Sequence, residues 1–237
     1  MRDKSTFHFK QFSISHARST MKVGTDAVLI GAWAKMKDAH RILDIGTGSG
    51  TIALMLAQRS MGKAVIHGVE IENIDALQAE ENFQRSPWAS ALKIYHMPIQ
   101  QFFPDTQYDL IVSNPPYFNN SQRPPDEKRQ HARHTITLSY QELINAVLRL
   151  ISAHGTFNVV LPFTEGLQFL SLAQQQGLWC TRKFSFKTRV DKPIERWLME
   201  FSKNPANLET GELVLYHQAD EWSEGYKALT KEFYLKL

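Results

Sequence analysis

Apolar residues along the chain fall into two alternating kinds of run. Short dense runs of strand length end at glycine, proline or asparagine, and longer runs space their apolar residues as helices do. Arg41 to Ile45 is the first compact run, stopped by a glycine cluster, and it reads as a buried parallel strand. Thr51 to Arg59 then has a helix-favouring pattern, Ala64 to Glu70 is a second strand, and Ile74 to Gln84 a second helix. Leu92 to His96 and Tyr108 to Ser113 are further strands, the latter stopped by Asn-Pro-Pro. Tyr140 to Ile151 is an amphipathic helix, Gly155 to Leu161 a strand, and Leu167 to Gln176 a helix ended by Gly177. Two β-rich runs follow, Trp179 to Phe186 and Arg196 to Phe201. This alternation predicts right-handed crossovers and an α/β fold with a parallel, doubly wound sheet. In such sheets ligands bind at the carboxyl ends of the strands, beside the switch in strand order.

Residues 1–40 read as a lead-in packed on one domain spanning 41–237. Within the lead-in, Phe7, Phe9 and Phe12 alternate with polar residues, as in an edge strand. Val23 to Trp33 reads as a helix, with Thr25 and Asp26 at its start. The longest irregular stretch, 118–137, is of the kind that carries function when it interrupts a compact domain. Apolar residues make up 43% of the 237 and charged residues 22%, ordinary globular usage that permits a substantial core. A net charge of +3 is compatible with a nucleic-acid partner without demanding one. The single cysteine, Cys180, excludes an intrachain disulfide framework, and neither a secretory signal nor a membrane-length apolar run is present. The expectation is a cytoplasmic protein without a membrane partner.

Asp44-Ile-Gly-Thr-Gly-Ser-Gly places Gly46, Gly48 and Gly50, with Thr47 among them, between the first strand and the first helix. Glycines there let the backbone turn sharply and approach a ligand closely, and the helix start adds oriented N–H groups. The spacing is G-x-G-x-G, not the G-x-G-x-x-G of dinucleotide binders. Asp44 is placed to meet a cationic amino group. Glu70 ends the second strand twenty residues after Gly50, where its carboxylate can accept two ribose hydroxyls, with Ile71 next to it. The set suits a cofactor with an adenosine half and a cationic amino-acid half.

Asn114-Pro115-Pro116-Tyr117 follows the fourth strand. The exocyclic amine of adenine is a poor nucleophile because its lone pair is delocalised into the ring. The Asn114 side-chain oxygen and the Pro115 carbonyl can accept both amine hydrogens and turn the lone pair toward an electrophile. The prolines hold that carbonyl rigidly, and Tyr117 offers a face on which a flipped base can stack. No metal is required, and His131 and His134 lack the spacing of a metal site.

With these motifs in place, the sequence resembles class I S-adenosylmethionine-dependent methyltransferases of the Asn-Pro-Pro-Tyr type. More narrowly, it is similar to the bacterial tRNA(Val) adenine-N6 methyltransferases, which modify the adenine 3′ of the anticodon. Three flanking segments carry this likeness: Met21 to Trp33, Glu195 to Phe201, and Tyr226 to Leu237, the last similar to the family's C-terminal helix. The resemblance implies a single Rossmann-like domain with a seven-stranded, mostly parallel sheet and an antiparallel late strand. It implies S-adenosylmethionine as cofactor, with Lys22, Gly24, Thr25 and Asp26 at its methionine end or at the entrance to the base pocket. Many such enzymes carry an aspartate after the third strand for the adenine amino group. Here Pro98 stands in that place, leaving Met97, Ile99 and backbone groups to hold the ring.

Basic residues cluster at Lys4, Lys10, Arg18 and Lys22, at Arg123, Lys128, Arg129 and Arg133, and at Arg182, Lys183, Lys187, Arg189, Lys192 and Arg196. Arg123, Lys128, Arg129, Arg133, Lys187 and Arg189 are candidates for contacts to tRNA phosphates. No obligate protein partner is evident. Three other readings compete: a glutamine-N5 methyltransferase of a release factor, a DNA adenine methyltransferase, and a non-catalytic RNA-binding protein. The first two lack the extra substrate domain they would need, and intact Asp44, Glu70 and Asn114 oppose the third.

Overall fold

The computed structural model describes residues 5–19, 22–116 and 138–236. Among the described residues, ten strands, β1 to β10, and six α-helices, α1 to α6, follow in order. After a short hairpin of β1 (Thr6–His8) and β2 (Ser13–Ser15) come α1 (Thr25–Trp33), β3 (Arg41–Ile45), α2 (Thr51–Ser60), β4 (Val65–Glu70) and α3 (Asn73–Gln84). Then follow β5 (Leu92–His96), β6 (Tyr108–Ser113), α4 (Tyr140–Leu150), β7 (Ile151–Pro162) and α5 (Phe163–Gln175). The chain ends with β8 (Trp179–Lys187), β9 (Arg196–Ser202), β10 (Glu209–Val214) and α6 (Glu224–Thr230).

The main sheet has the order β10-β8-β9-β7-β6-β3-β4-β5. From β3 the chain moves outward to β4 and β5, then returns across β3 to build the other half from β6. The switch in strand order therefore lies between β3 and β6. Among the described strands of this sheet, only β9 runs against its neighbours β7 and β8, the antiparallel late strand that the resemblance implies. The sheet has eight strands where seven were expected. The extra one, β10, pairs in parallel with β8 at the edge. Its sequence, Glu-Thr-Gly-Glu-Leu-Val, is half exposed and carries no apolar alternation, so no periodicity announced it.

Both faces of the sheet are covered, which is why the central strands read as continuous apolar runs. Ile42, Ile66, Leu110, Val112 and Val160 face α1 and α2, in a core that also takes in Phe9, Phe12, Trp33 and Phe83. Leu43, Ile45, Ile111, Phe157 and Val159 face the other way, against α4 and α5. Helix α4 starts at a capping box: Ser139 Oγ accepts from the Glu142 N–H at 3.2 Å, and the Ser139 N–H donates to the Glu142 carboxylate at 2.8 Å. The amino-terminal hairpin is sewn onto the glycine loop by Asn82. Its side-chain amide donates to the carbonyls of Ser15 (2.9 Å) and Ser49 (2.8 Å), and its oxygen accepts from the Ser15 N–H at 2.9 Å. The late helix is shorter than the segment Tyr226 to Leu237 suggested, because turns take over after Thr230. Among the described residues no helix is long and apolar enough to cross a membrane.

Candidate active site

Strand register assembles the site. Ile45 of β3 lies opposite Val69 of β4 and opposite Ser113 of β6. Glu70 in turn lies opposite His96 of β5. The next residue on each strand therefore leaves the sheet at one level: Gly46, Glu70 or Ile71, Met97 and Asn114. They surround a cavity of about 870 Å³ at the carboxyl ends of the strands. Ser113 Oγ donates to the Ile45 carbonyl at 2.9 Å, locking β6 to β3 at the point where both loops begin.

The glycine loop turns back over β3 by left-handed steps, with φ of +69° at Gly46, +54° at Gly48 and +87° at Gly50. A Cβ on Gly46 or Gly48 would meet no protein atom within 4 Å, so the backbone there is bare toward the cavity. At Gly50 a Cβ would come within 2.5 Å of the Phe83 ring. Gly50 lies behind the cavity wall and lets α2 start tight against α3.

Asp44, placed by its spacing at a cationic amino group, also lies behind the wall, fully buried. On β3 it shares the face of Ile42, under α2. Its Oδ2 accepts from the Thr47 hydroxyl at 2.5 Å and from the Ala53 N–H at 3.2 Å, while Oδ1 has no partner among the described residues. Burial pushes this carboxyl up from 3.8 to about 7, against the lowering effect of the two hydrogen bonds. Thr47, on the wall, connects this buried acid to the cavity.

Glu70 is on the wall, but its carboxylate is turned to the backbone. Oε2 accepts from the Gly48 N–H at 2.8 Å, and Oε1 from the N–H groups of Ile71 and Glu72, both at 2.9 Å. It therefore ties the glycine loop to the end of β4 and retains one of roughly four acceptor directions. Burial raises its pKa. Ile71, Met97, Pro98 and Ile99 line the cavity together, with Gln100 beyond them. Asn114, Pro115 and Pro116 line the other side, Pro115 buried and Pro116 exposed. Lys22, Gly24 and Thr25 also reach it, from the start of α1.

Beyond the start of α1, the wall residues Arg196, Glu195, Thr188 and Asp75 were not foreseen in the sequence. Arg196 and Asp26 face the cavity as an ion pair, Nε to Oδ2 at 2.9 Å, joining the start of β9 to the start of α1. Glu195 and Thr188 line it beside them, and the Thr188 N–H donates to the Glu195 carboxylate at 3.3 Å. Asp75, from the first turn of α3, also lines the cavity and accepts from the Ser19 hydroxyl at 2.5 Å. Sequence spacing gives no sign of a pair formed 170 positions apart.

The third basic cluster divides. Arg182 is buried with its guanidinium 3.6 Å from the Trp33 ring centroid and paired with Glu200 and Glu209, so it belongs to the core. Lys187 pairs with Glu212 at 2.7 Å and Arg189 with Asp220 at 3.3 Å; both sit at the carboxyl edge but off the cavity wall. Tyr117, Arg123, Lys128, Arg129 and Arg133, together with His131 and His134, lie outside the described residues. Among the described residues no cluster of His, Cys, Asp and Glu suits a metal ion.

Residues 15–164 match the family model of the methyltransferase small domain. The tRNA1(Val) (adenine(37)-N6)-methyltransferase of Histophilus somni is 41% identical over 99% of this chain and 99% of its own length. The protein of the same name from Yersinia pseudotuberculosis is 45% identical over 97% of this chain and 93% of its own. Among solved structures, a predicted O-methyltransferase of Agrobacterium tumefaciens superposes with a TM-score of 0.68 at 16% identity, covering 88% of this chain and 96% of that one. The glycopeptide N-methyltransferase MtfA, in complex with S-adenosylmethionine, reaches 0.56 at 11% identity over 79% and 97%. These two likenesses speak for the fold alone, the Rossmann-like fold of class I methyltransferases. With a glycine loop and Asn-Pro-Pro at one cavity, and relatives matched nearly end to end, the chain belongs to the methyltransferase small domain family, in the group of the tRNA1(Val) (adenine(37)-N6)-methyltransferases.

Proposed function

We propose that the protein transfers a methyl group from S-adenosylmethionine to N6 of an adenine in tRNA, the adenine 3′ of the anticodon of tRNA(Val). The observation that carries this reading is the juxtaposition of Gly46 and Asn114 at the ends of paired strands, within one cavity. The cofactor fits the residues present: the cavity volume is in the range of small-molecule sites, and the loop offers bare backbone at Gly46 and Gly48. Glu70 and Ile71 would hold the ribose, Met97, Pro98 and Ile99 the adenine ring. Lys22 and Thr25 would hold the methionine end. Thr47 would meet the cofactor from the cavity wall, while Asp44 and Gly50 would act through the loop, by fixing its shape.

When bound, S-adenosylmethionine supplies a methyl group on a cationic sulfur that departs as a neutral thioether. Asn114 and Pro115 accept the two N6 hydrogens of the target through the side-chain oxygen and the backbone carbonyl. That removes the lone pair from conjugation and aims it into the cavity, so catalysis is mainly positioning. The surplus proton on N6 stays hydrogen-bonded to these acceptors until water takes it. Tyr117 would stack on the flipped adenine, and Pro116 would keep the acceptors rigid. Arg123, Lys128, Arg129, Arg133, Lys187 and Arg189 would meet phosphates. The lead-in 1–40 and the remainder act as one domain in this reading, supported by Phe9, Phe12 and Trp33 sharing a core cluster with the sheet. A tRNA substrate places the protein in the cytoplasm.

The test supplies labelled S-adenosylmethionine with tRNA, rRNA, duplex DNA and a release factor in separate reactions. Label is expected in tRNA, and within it in valine isoacceptors. Label confined to the release factor or to DNA would reject the reading.

A further inference from the structure

Beside the cavity, the carboxyl edge of the sheet carries an aromatic surface that methyl transfer itself does not use. β7 ends at Pro162 and α5 starts at Phe163, whose side chain is 40% exposed. The Phe163 ring lies over Trp197, with centroids 5.8 Å apart and planes inclined by 28°. Trp197 is held in turn. Lys183 places its ammonium 4.6 Å from the indole centroid. Gly166 leaves the indole its space, since a Cβ there would lie 2.6 Å from Trp197 Cδ1. The Phe163 N–H donates to the Glu195 carbonyl at 3.1 Å, and Glu195 and Arg196 are on the cavity wall. Phe163 is thus a braced aromatic face one residue outside the cavity rim.

Two features select the occupant. A fixed, half-exposed aromatic face is what an unpaired nucleotide uses to stack its base. Among the described residues, the exposed large apolar side chains of α5 are Phe163 and, one turn on, Leu167, far less than a protein interface of standard size requires. A target base extruded into the cavity also leaves its neighbour in the loop without a stacking partner. We propose that Phe163, braced by Trp197, is the stacking platform for the unpaired base adjacent to the target adenine. The inference rests on the tRNA reading above.

Steady-state methylation of a tRNA(Val) transcript by the full chain tests it with F163L, which keeps an apolar side chain of similar size, and F163Y, which keeps the ring. F163L is expected to raise KM for tRNA about tenfold, with thermal stabilisation by S-adenosylmethionine retained, and F163Y to stay near the unsubstituted protein. An F163L with unaltered KM overturns the proposal, as does an F163Y as impaired as F163L. An F163L that changes the sedimentation coefficient and not KM marks a self-association face and overturns it equally. If the unsubstituted protein methylates no tRNA at all, the functional reading itself fails, and this proposal with it.

Discussion

Asp44 shapes the glycine loop from behind the cavity wall. It accepts from Thr47 and from the first turn of α2, and keeps a buried oxygen with no partner among the described residues. The cost of enclosing a charge there appears as a carboxyl pushed from 3.8 to about 7. The unfolded chain therefore releases this proton at lower pH than the folded protein does. The carboxyl's contribution to stability is complete below about pH 4 and lost as pH rises through about 7. D44N cannot ionise, so the melting temperature of the native protein relative to D44N should fall across that window. A difference between the two that is constant with pH would contradict this account. Asp44 was legible in the sequence as a member of the loop, but not its direction. That depends on which face of β3 it shares, and the face is fixed only when α2 packs.

At the scale of elements, the link between β3 and α2 depends on Gly50. Any other residue at φ +87° strains the backbone, and here its Cβ would also press on the Phe83 ring at 2.5 Å. G50A should lose about 2 kcal/mol or more, lowering the melting point by roughly 5 °C, and weaken stabilisation by S-adenosylmethionine. Calorimetry with and without cofactor checks both, and a native-like G50A would show that the loop tolerates another path. The glycine loop, the end of β4 and the end of β6 were legible because each is a local strand-to-loop unit whose stop signals lie within a few residues. β10 was not, because an edge strand needs no apolar face. The pairing of Asp26 with Arg196 was not legible either, because β9 and α1 meet only through the finished sheet.

Across the whole molecule, one register relation organises function. With Ile45 opposite both Val69 and Ser113, the loops for cofactor and target leave the sheet side by side at the switch between β3 and β6. Sequence order alone predicts a doubly wound sheet with a switch in strand order, since strands alternating with helices permit few topologies, but not that the switch lies between β3 and β6. Nor can it supply the depth of the cavity or the part of its wall contributed by Thr188, Glu195 and Arg196. The central claim is that Asn114, placed by that register, holds the amine that is methylated. It is tested most directly by nucleoside analysis of a tRNA(Val) transcript after reaction with the protein and with N114A. The native protein should yield N6-methyladenosine at the adenine 3′ of the anticodon. N114A should be slower by roughly a hundredfold or more, with its stabilisation by S-adenosylmethionine intact. N6-methyladenosine formed by N114A at the native rate would contradict the account.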